Sequence, residues 1–371
     1  MPPIYVLIKP ASSACNLRCK YCFYHDVAGN RATPNQGMMS DATLETLVQK
    51  TLEYGDQAVG FAFQGGEPTL AGLDFYRKLL AYQKQYNRNH ARISNALQTN
   101  GMCIDESWAE FLAEHRFLVG LSLDGPKDIH DLNRTDARGG GSHRRVEQAA
   151  AWFDQYGVEY NILCVVTKPV ARHVEKVYHY YAKKGFRYLQ FIPCLDGLGE
   201  TPGQNPYSLT PELYESFLKK LFDLWYWDFR NGNRVSIRMF DNILHLLLGY
   251  PPESCDMKGY CSANTVVEAD GAVYPCDFYV LDRWKMGDIR EDSLQAMLQG
   301  ETARAFVEVS RDIAGQCQGC EVFALCRGGC RRHYEPIADR IEGQNYFCPA
   351  YRRFYDYALP RFREIARSYG S

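Results

Sequence analysis

Between residues 4 and 195, six apolar runs of strand length alternate with amphipathic segments long enough for helices, which limits the chain to βα units on a parallel sheet. The strands are expected at Tyr5–Lys9, Val59–Gln64, Asn95–Thr99, Leu118–Leu123, Tyr160–Thr167 and Tyr188–Ile192. Crossover helices are expected near 41–54, 73–87, 105–115, 142–156 and 173–184, with Ser40 (followed by Asp41) and Asp105 as N-caps. Six units are fewer than the eight that close a barrel. The expected architecture is therefore α/β, a partial (β/α)6 barrel with a mouth open enough at the side to admit a peptide. In such folds chemistry collects where strands end, and CNLRCKYC, GGEP and SLDG each follow a predicted strand.

Beyond residue 195 the texture changes. The Gly- and Pro-rich segment 196–210 reads as a linker, 211–230 and 239–248 as helices, and Pro349–Ser371 as a packed C-terminal helix. From Ser254 to Cys348 cysteines are dense and elements short, with a hairpin expected in TVVEADGAVYPCDF turning at Asp270 and Gly271. The domains expected are 1–235, 236–348 and the helix 349–371. Arg138–Gly141 reads either as a turn or as a mobile loop.

With 371 residues, 46% of them hydrophobic, the chain can bury a large core. A formal charge of −2 offers no electrostatic reason to bind nucleic acid or an anionic membrane. The start MPPIYVLIKPA lacks the pattern of a signal peptide, and no apolar stretch approaches 18 residues. A cytoplasmic enzyme is expected, and in that setting the fourteen cysteines read as metal ligands rather than disulfides.

Cys15, Cys19 and Cys22 form CxxxCxxC. Three thiolates on one loop can hold three corners of a four-iron cluster and leave the fourth iron open for a substrate; zinc is the competing reading. The paired glycines Gly65 and Gly66 in QGGEP let backbone approach a ligand carrying amino and carboxylate groups, such as methionine. Eight more thiols, Cys255, Cys261, Cys276, Cys317, Cys320, Cys326, Cys330 and Cys348, make two sets of four, again suited to iron–sulfur clusters or zinc. Asp277 directly follows Cys276, where a carboxylate beside a cluster ligand could deprotonate a bound thiol or hydroxyl. Of the three remaining cysteines, Cys164 reads as a small core residue, and Cys103 and Cys194 lie near strand ends.

CNLRCKYCFY followed by GGEP resembles the radical S-adenosylmethionine superfamily. The resemblance implies a [4Fe–4S] cluster on Cys15, Cys19 and Cys22 that binds S-adenosyl-L-methionine and cleaves it to a 5′-deoxyadenosyl radical. It also implies cofactor contacts from Tyr21, Gly66, Ser122, Arg134 and Leu195. The later cysteines resemble the SPASM extension of radical enzymes that modify peptides. That likeness implies two auxiliary [4Fe–4S] clusters, one on Cys255, Cys261, Cys276 and Cys330, the other on Cys317, Cys320, Cys326 and Cys348, three clusters in all.

Longer stretches, among them IKPASSACNLRCKYCFY, FAFQGGEPTLAGL, FLVGLSLDGP and VYPCDFYVLD, are similar to the anaerobic sulfatase-maturating enzymes from Pro10 to about Tyr351. This implies oxidation of a Cys or Ser in a CxPxR or SxPxR segment of a sulfatase polypeptide to Cα-formylglycine. Asp277 would be the general base, the auxiliary clusters electron acceptors, and a ferredoxin or flavodoxin the low-potential donor. Two other readings compete: a SPASM-type peptide modifier that forms a thioether or carbon–carbon crosslink, and a non-catalytic electron carrier or zinc-stabilised scaffold.

Overall fold

The first strand, IYVLI, buries Ile4, Val6 and Ile8 on one side, as a strand with one covered face must. It opens a chain whose computed structural model describes residues 3–311, 315–334 and 344–369. Ten strands run through the described residues: β1 Ile4–Ile8, β2 Ala58–Phe63, β3 Arg92–Thr99, β4 Leu118–Ser122, β5 Tyr160–Val166, β6 Tyr188–Pro193, β7 Ser236–Ile237, β8 Thr265–Val267, β9 Ala272–Tyr274 and β10 Gly287–Asp288. The fold is mixed α/β on a parallel sheet, as expected, and the six predicted strands are β1 to β6 within a few residues at each end. Two compact units share the chain.

The first unit comprises 1–122, 134–160 and 263–306. Its strands run in the order β10-β9-β8-β1-β2-β3-β4. β1 to β4 are parallel, with Ile4 opposite Val59, Ala58 opposite Arg92 and Ala96 opposite Leu118. Between them run the helices Phe23–Gly29, Asp41–Tyr54, Leu73–Tyr86 and Glu106–Glu114. Ser40 accepts the Thr43 N–H at 3.1 Å and Asp105 the Trp108 N–H at 3.0 Å, so both predicted caps form. Edge-to-face rings tie the helices to the sheet, Phe63 to Tyr76 at 5.1 Å and Tyr76 to Trp108 at 5.4 Å.

The predicted hairpin is β8–β9, and it turns where expected, with Gly271 at φ +93°. That backbone conformation favours glycine, and a Cβ there would also come within 2.9 Å of Asp288 Oδ1, which would have to shift. β8 does more than pair with β9: it lies parallel to β1, with Val6 opposite Thr265, and extends the sheet past its first strand. Arg138–Gly141 is a turn, in which Asp136 Oδ1 accepts the N–H groups of Arg138 and Gly140, each at 2.8 Å.

The second unit comprises 123–133, 161–262 and 307–371, and its strands run β5-β6-β7, all parallel. Its core is aromatic. Helices Pro211–Arg230, Arg238–Leu247 and Cys348–Tyr369 bring Phe222, Trp225, Phe240, Phe354 and Phe362 together, with Phe222 and Phe362 centroids 4.7 Å apart. The last two residues of the expected C-terminal helix, Gly370 and Ser371, lie outside the described residues. Segment 196–210 is organised around Asp196, which accepts from Ser208 Oγ, from the Gly203 N–H at 2.9 Å and from Asn205 Nδ2 at 3.2 Å. Among the described residues no helix is long and apolar enough to cross a membrane.

Candidate active site

The chain leaves β1 at Lys9 and folds the cysteine loop back over the end of the sheet. Cys15 Sγ accepts hydrogen bonds from the Leu17 N–H at 3.4 Å and Asn100 Nδ2 at 3.6 Å. Cys22 caps the helix Phe23–Gly29, its sulfur accepting the His25 N–H at 3.4 Å. Burial pushes the Cys15 thiol up to about 12 against the pull of the Leu17 N–H, and Glu67, Cys19 and Cys22 add smaller upward pushes. As a bare thiol Cys15 resists ionisation, yet the N–H donors aimed at its sulfur and at that of Cys22 suit thiolates. Three crowded thiolates with such donors are a donor set that iron satisfies.

GGEP supports this loop from below. The Gly66 N–H donates to Ser12 C=O at 2.8 Å, and a Cβ on Gly66 would stand 2.0 Å from Ala14 C=O. Backbone therefore touches backbone here, and only glycine allows it. Glu67 is fully buried and meets four donors: Thr69 N–H at 3.1 Å, Thr69 Oγ1 at 2.6 Å, Thr99 Oγ1 at 2.7 Å and Asn100 N–H at 2.7 Å. Burial raises its carboxyl above the usual range while these bonds pull it back. Through Asn100, which also reaches Asn16 Oδ1 at 2.8 Å, Glu67 ties the end of β3 to the cysteine loop.

Of the residues expected at the cofactor, Tyr21, Gly66, Ser122 and Arg134 lie in the first unit. Leu17 bridges to Asp136, and the Arg18 N–H donates to Thr135 C=O at 2.6 Å. That pairing brings the Arg134 guanidinium to 5.4 Å from the Tyr21 ring. Ser122 ends β4 and is buried. Leu195, in the second unit just after β6, borders a cavity with Cys194, Asp196, Arg332 and Phe347.

Asp277 also belongs to the first unit. It begins a short 3₁₀ turn whose Phe278 ring lies 4.7 Å from Phe23, on the helix that follows the cysteine loop. One carboxylate oxygen accepts from Lys9 Nζ and the other from Gln64 Nε2. Its side chain is 18% exposed, whereas that of Lys9 is completely buried.

In the second unit Cys317, Cys320, Cys326 and Cys348 line one cavity with Tyr334 and Asn345. Burial pushes Cys326 up to about 12, with Cys348, Cys317 and Cys320 adding to it, so the four sulfurs feel one another. This set fits a four-thiolate cluster. Of the other set, Cys255, Cys261 and Cys330 lie in the second unit and Cys276 in the first. Among the described residues, no three His, Cys, Asp or Glu side chains converge on a single-ion site. Cys164 is a buried core residue, as expected.

Comparisons with known proteins show the family. Residues 10–181 match the radical SAM superfamily and 255–321 an iron-sulfur cluster-binding domain. A cysteine-type anaerobic sulfatase-maturating enzyme of Clostridium perfringens is 51% identical over 99% of this chain and 100% of its own. The chain belongs to the anaerobic sulfatase-maturating enzymes. Within that family, a serine-type enzyme of Klebsiella aerogenes is 32% identical over 98% of this chain and 87% of its own. The solved structure of native anSMEcpe with bound AdoMet and Cp18Cys peptide superposes with a TM-score of 0.95 at 50% identity, covering 99% of each chain.

In this sulfatase-maturating chain, sequence reasoning missed Lys9, Asn16 and Asn100, together with the hold of Gln64 on Asp277 and the anchoring role of Glu67. Lys9 carried one signal. It ends an otherwise apolar strand, and where such a lysine is buried, as here, its ammonium requires a partner.

Proposed function

We propose that this enzyme oxidises a sulfatase cysteine within a CxPxR segment to Cα-formylglycine, with Asp277 as the general base. S-adenosyl-L-methionine bound with a [4Fe–4S] cluster on Cys15, Cys19 and Cys22 supplies the hydrogen-abstracting radical, and auxiliary clusters on the two later cysteine sets supply an electron sink. The remaining work falls to the protein. Turning a cysteine side chain into a thioaldehyde removes one hydrogen atom from Cβ, then one proton from sulfur and one electron; water replaces sulfur afterwards. Asp277 takes the proton. Tyr21, Gly66, Ser122, Arg134 and Leu195 hold the cofactor.

The observation that carries the reading is the Asp277 carboxylate, oriented by two donors on a turn that touches the helix leaving the cysteine loop. The higher identity to a cysteine-type relative than to a serine-type one supports cysteine as the preferred substrate. A low-potential ferredoxin or flavodoxin fits as donor, and so many thiols suit the reducing cytoplasm.

The test is anaerobic incubation with S-adenosyl-L-methionine, a reductant, and CxPxR and SxPxR peptides, followed by mass spectrometry. A loss of about 18 Da from the cysteine peptide, faster than a loss of about 2 Da from the serine peptide, is the expected result. A crosslinked product with no aldehyde would overturn it.

A further inference from the structure

Asp277 is held by a network that the reaction outlined above does not use. The Lys9 side chain is completely buried, and its ammonium donates to one Asp277 oxygen while resting 3.7 Å above the centroid of the Tyr24 ring. The Tyr24 hydroxyl donates to Glu268. Glu268, also completely buried, accepts from Arg31 Nη1 at 2.7 Å and from the Ala269 N–H at 2.8 Å. Two cations and two carboxylates thus alternate along a line that starts at the partly exposed Asp277 and ends at the buried pair Glu268 and Arg31.

We propose that Lys9 is the positioning residue of Asp277, and that Tyr24, Glu268 and Arg31 position Lys9 in turn. The inference rests on the reading of Asp277 as base. Each carboxylate oxygen has two acceptor directions. Lys9 and Gln64 occupy one on each oxygen, which prevents the carboxylate from rotating and leaves the remaining directions for substrate. The ammonium cannot drift, because a buried charge must keep its partner and because the ring beneath it attracts it. The Tyr24 hydroxyl, fixed by Glu268, in turn prevents the ring from moving. The hairpin supplies both carboxylates, Glu268 after β8 and Asp277 after β9, whereas Lys9, Tyr24 and Arg31 come from β1 and the stretch that follows it. The network therefore aligns the base with the segment that carries the cysteine loop.

Proton transfer is sensitive to such alignment, since a misplacement near 1 Å can cost about 100-fold. The experiment compares Lys9→Met, Lys9→Arg, Tyr24→Phe and Asp277→Asn with wild type, all reconstituted anaerobically, counting formylglycine and 5′-deoxyadenosine with a CxPxR peptide. For Lys9→Met, kcat for formylglycine should fall by about 10- to 100-fold, while peptide KM and 5′-deoxyadenosine formation stay within about twofold. Lys9→Arg should restore part of the loss. Tyr24→Phe, which keeps the ring, should show the same split more weakly and serves if Lys9→Met does not fold. Thermal shifts of the reconstituted proteins should be non-additive in the Lys9→Met/Asp277→Asn double variant. Formylglycine per 5′-deoxyadenosine at the wild-type ratio in Lys9→Met, with Asp277→Asn inactive in peptide oxidation, would overturn the role of Lys9 alone. Proportional loss of both products would overturn it too, as a merely structural effect. Full formylglycine production by Asp277→Asn would instead overturn Asp277 as base.

Discussion

Glu67 shows how much a single buried carboxylate can organise. Its four donors come from its own turn and from the end of β3. Glu67→Gln keeps the shape but turns an amide NH2 toward the Asn100 N–H, leaving two donors facing each other in a buried site. The expected cost is about 1–3 kcal/mol, read as a lower urea midpoint at unchanged slope. Because Asn100 also touches Cys15, the same variant should bind iron less completely at the cysteine loop. An unchanged midpoint would mean that the site relaxes around the amide.

Among elements, the six βα units were legible because strand and helix periods alternate over runs long enough to be told apart. β7 and β10, two residues each, have no period to read. The parallel pairing of β8 with β1 was not legible either, since nothing local in TVV names a partner some 260 residues earlier in the chain. The site divides in the same way. Cysteine spacing exposed the ligand candidates, whereas Lys9, Gln64 and Asn100 matter through distant neighbours that sequence alone does not reveal. The contact between GGEP and the cysteine loop is testable at this scale. In Gly66→Ala the added methyl meets Ala14 C=O at 2.0 Å, backbone against backbone, so the loop itself must move. The variant should lose S-adenosyl-L-methionine binding in equilibrium dialysis while keeping the far-UV circular dichroism of the parent. Wild-type binding would show that the loop yields without cost.

At the scale of the molecule, the cysteine sets are separable. Cys15, Cys19 and Cys22 lie on one loop of the first unit, and the cavity of Cys317, Cys320, Cys326 and Cys348 lies in the second. Changing the first three together to Ala should abolish 5′-deoxyadenosine yet leave roughly eight irons per chain, the content of two four-iron clusters. Retained cleavage of S-adenosyl-L-methionine by that variant would sink the radical reading. Iron analysis and product counting on the same sample decide it.

The seam between β1 and β8 also bears on how the chain is made. During synthesis the first strand leaves the ribosome long before residues 265–267 exist, so one of its edges has no hydrogen-bonding neighbour until they do. Lys9 meanwhile lacks Asp277, and Tyr24 and Arg31 lack Glu268. The segment that carries the cysteine loop is therefore made some 250 residues before the groups that complete it, and the final anchoring of that loop awaits the β8–β9 hairpin.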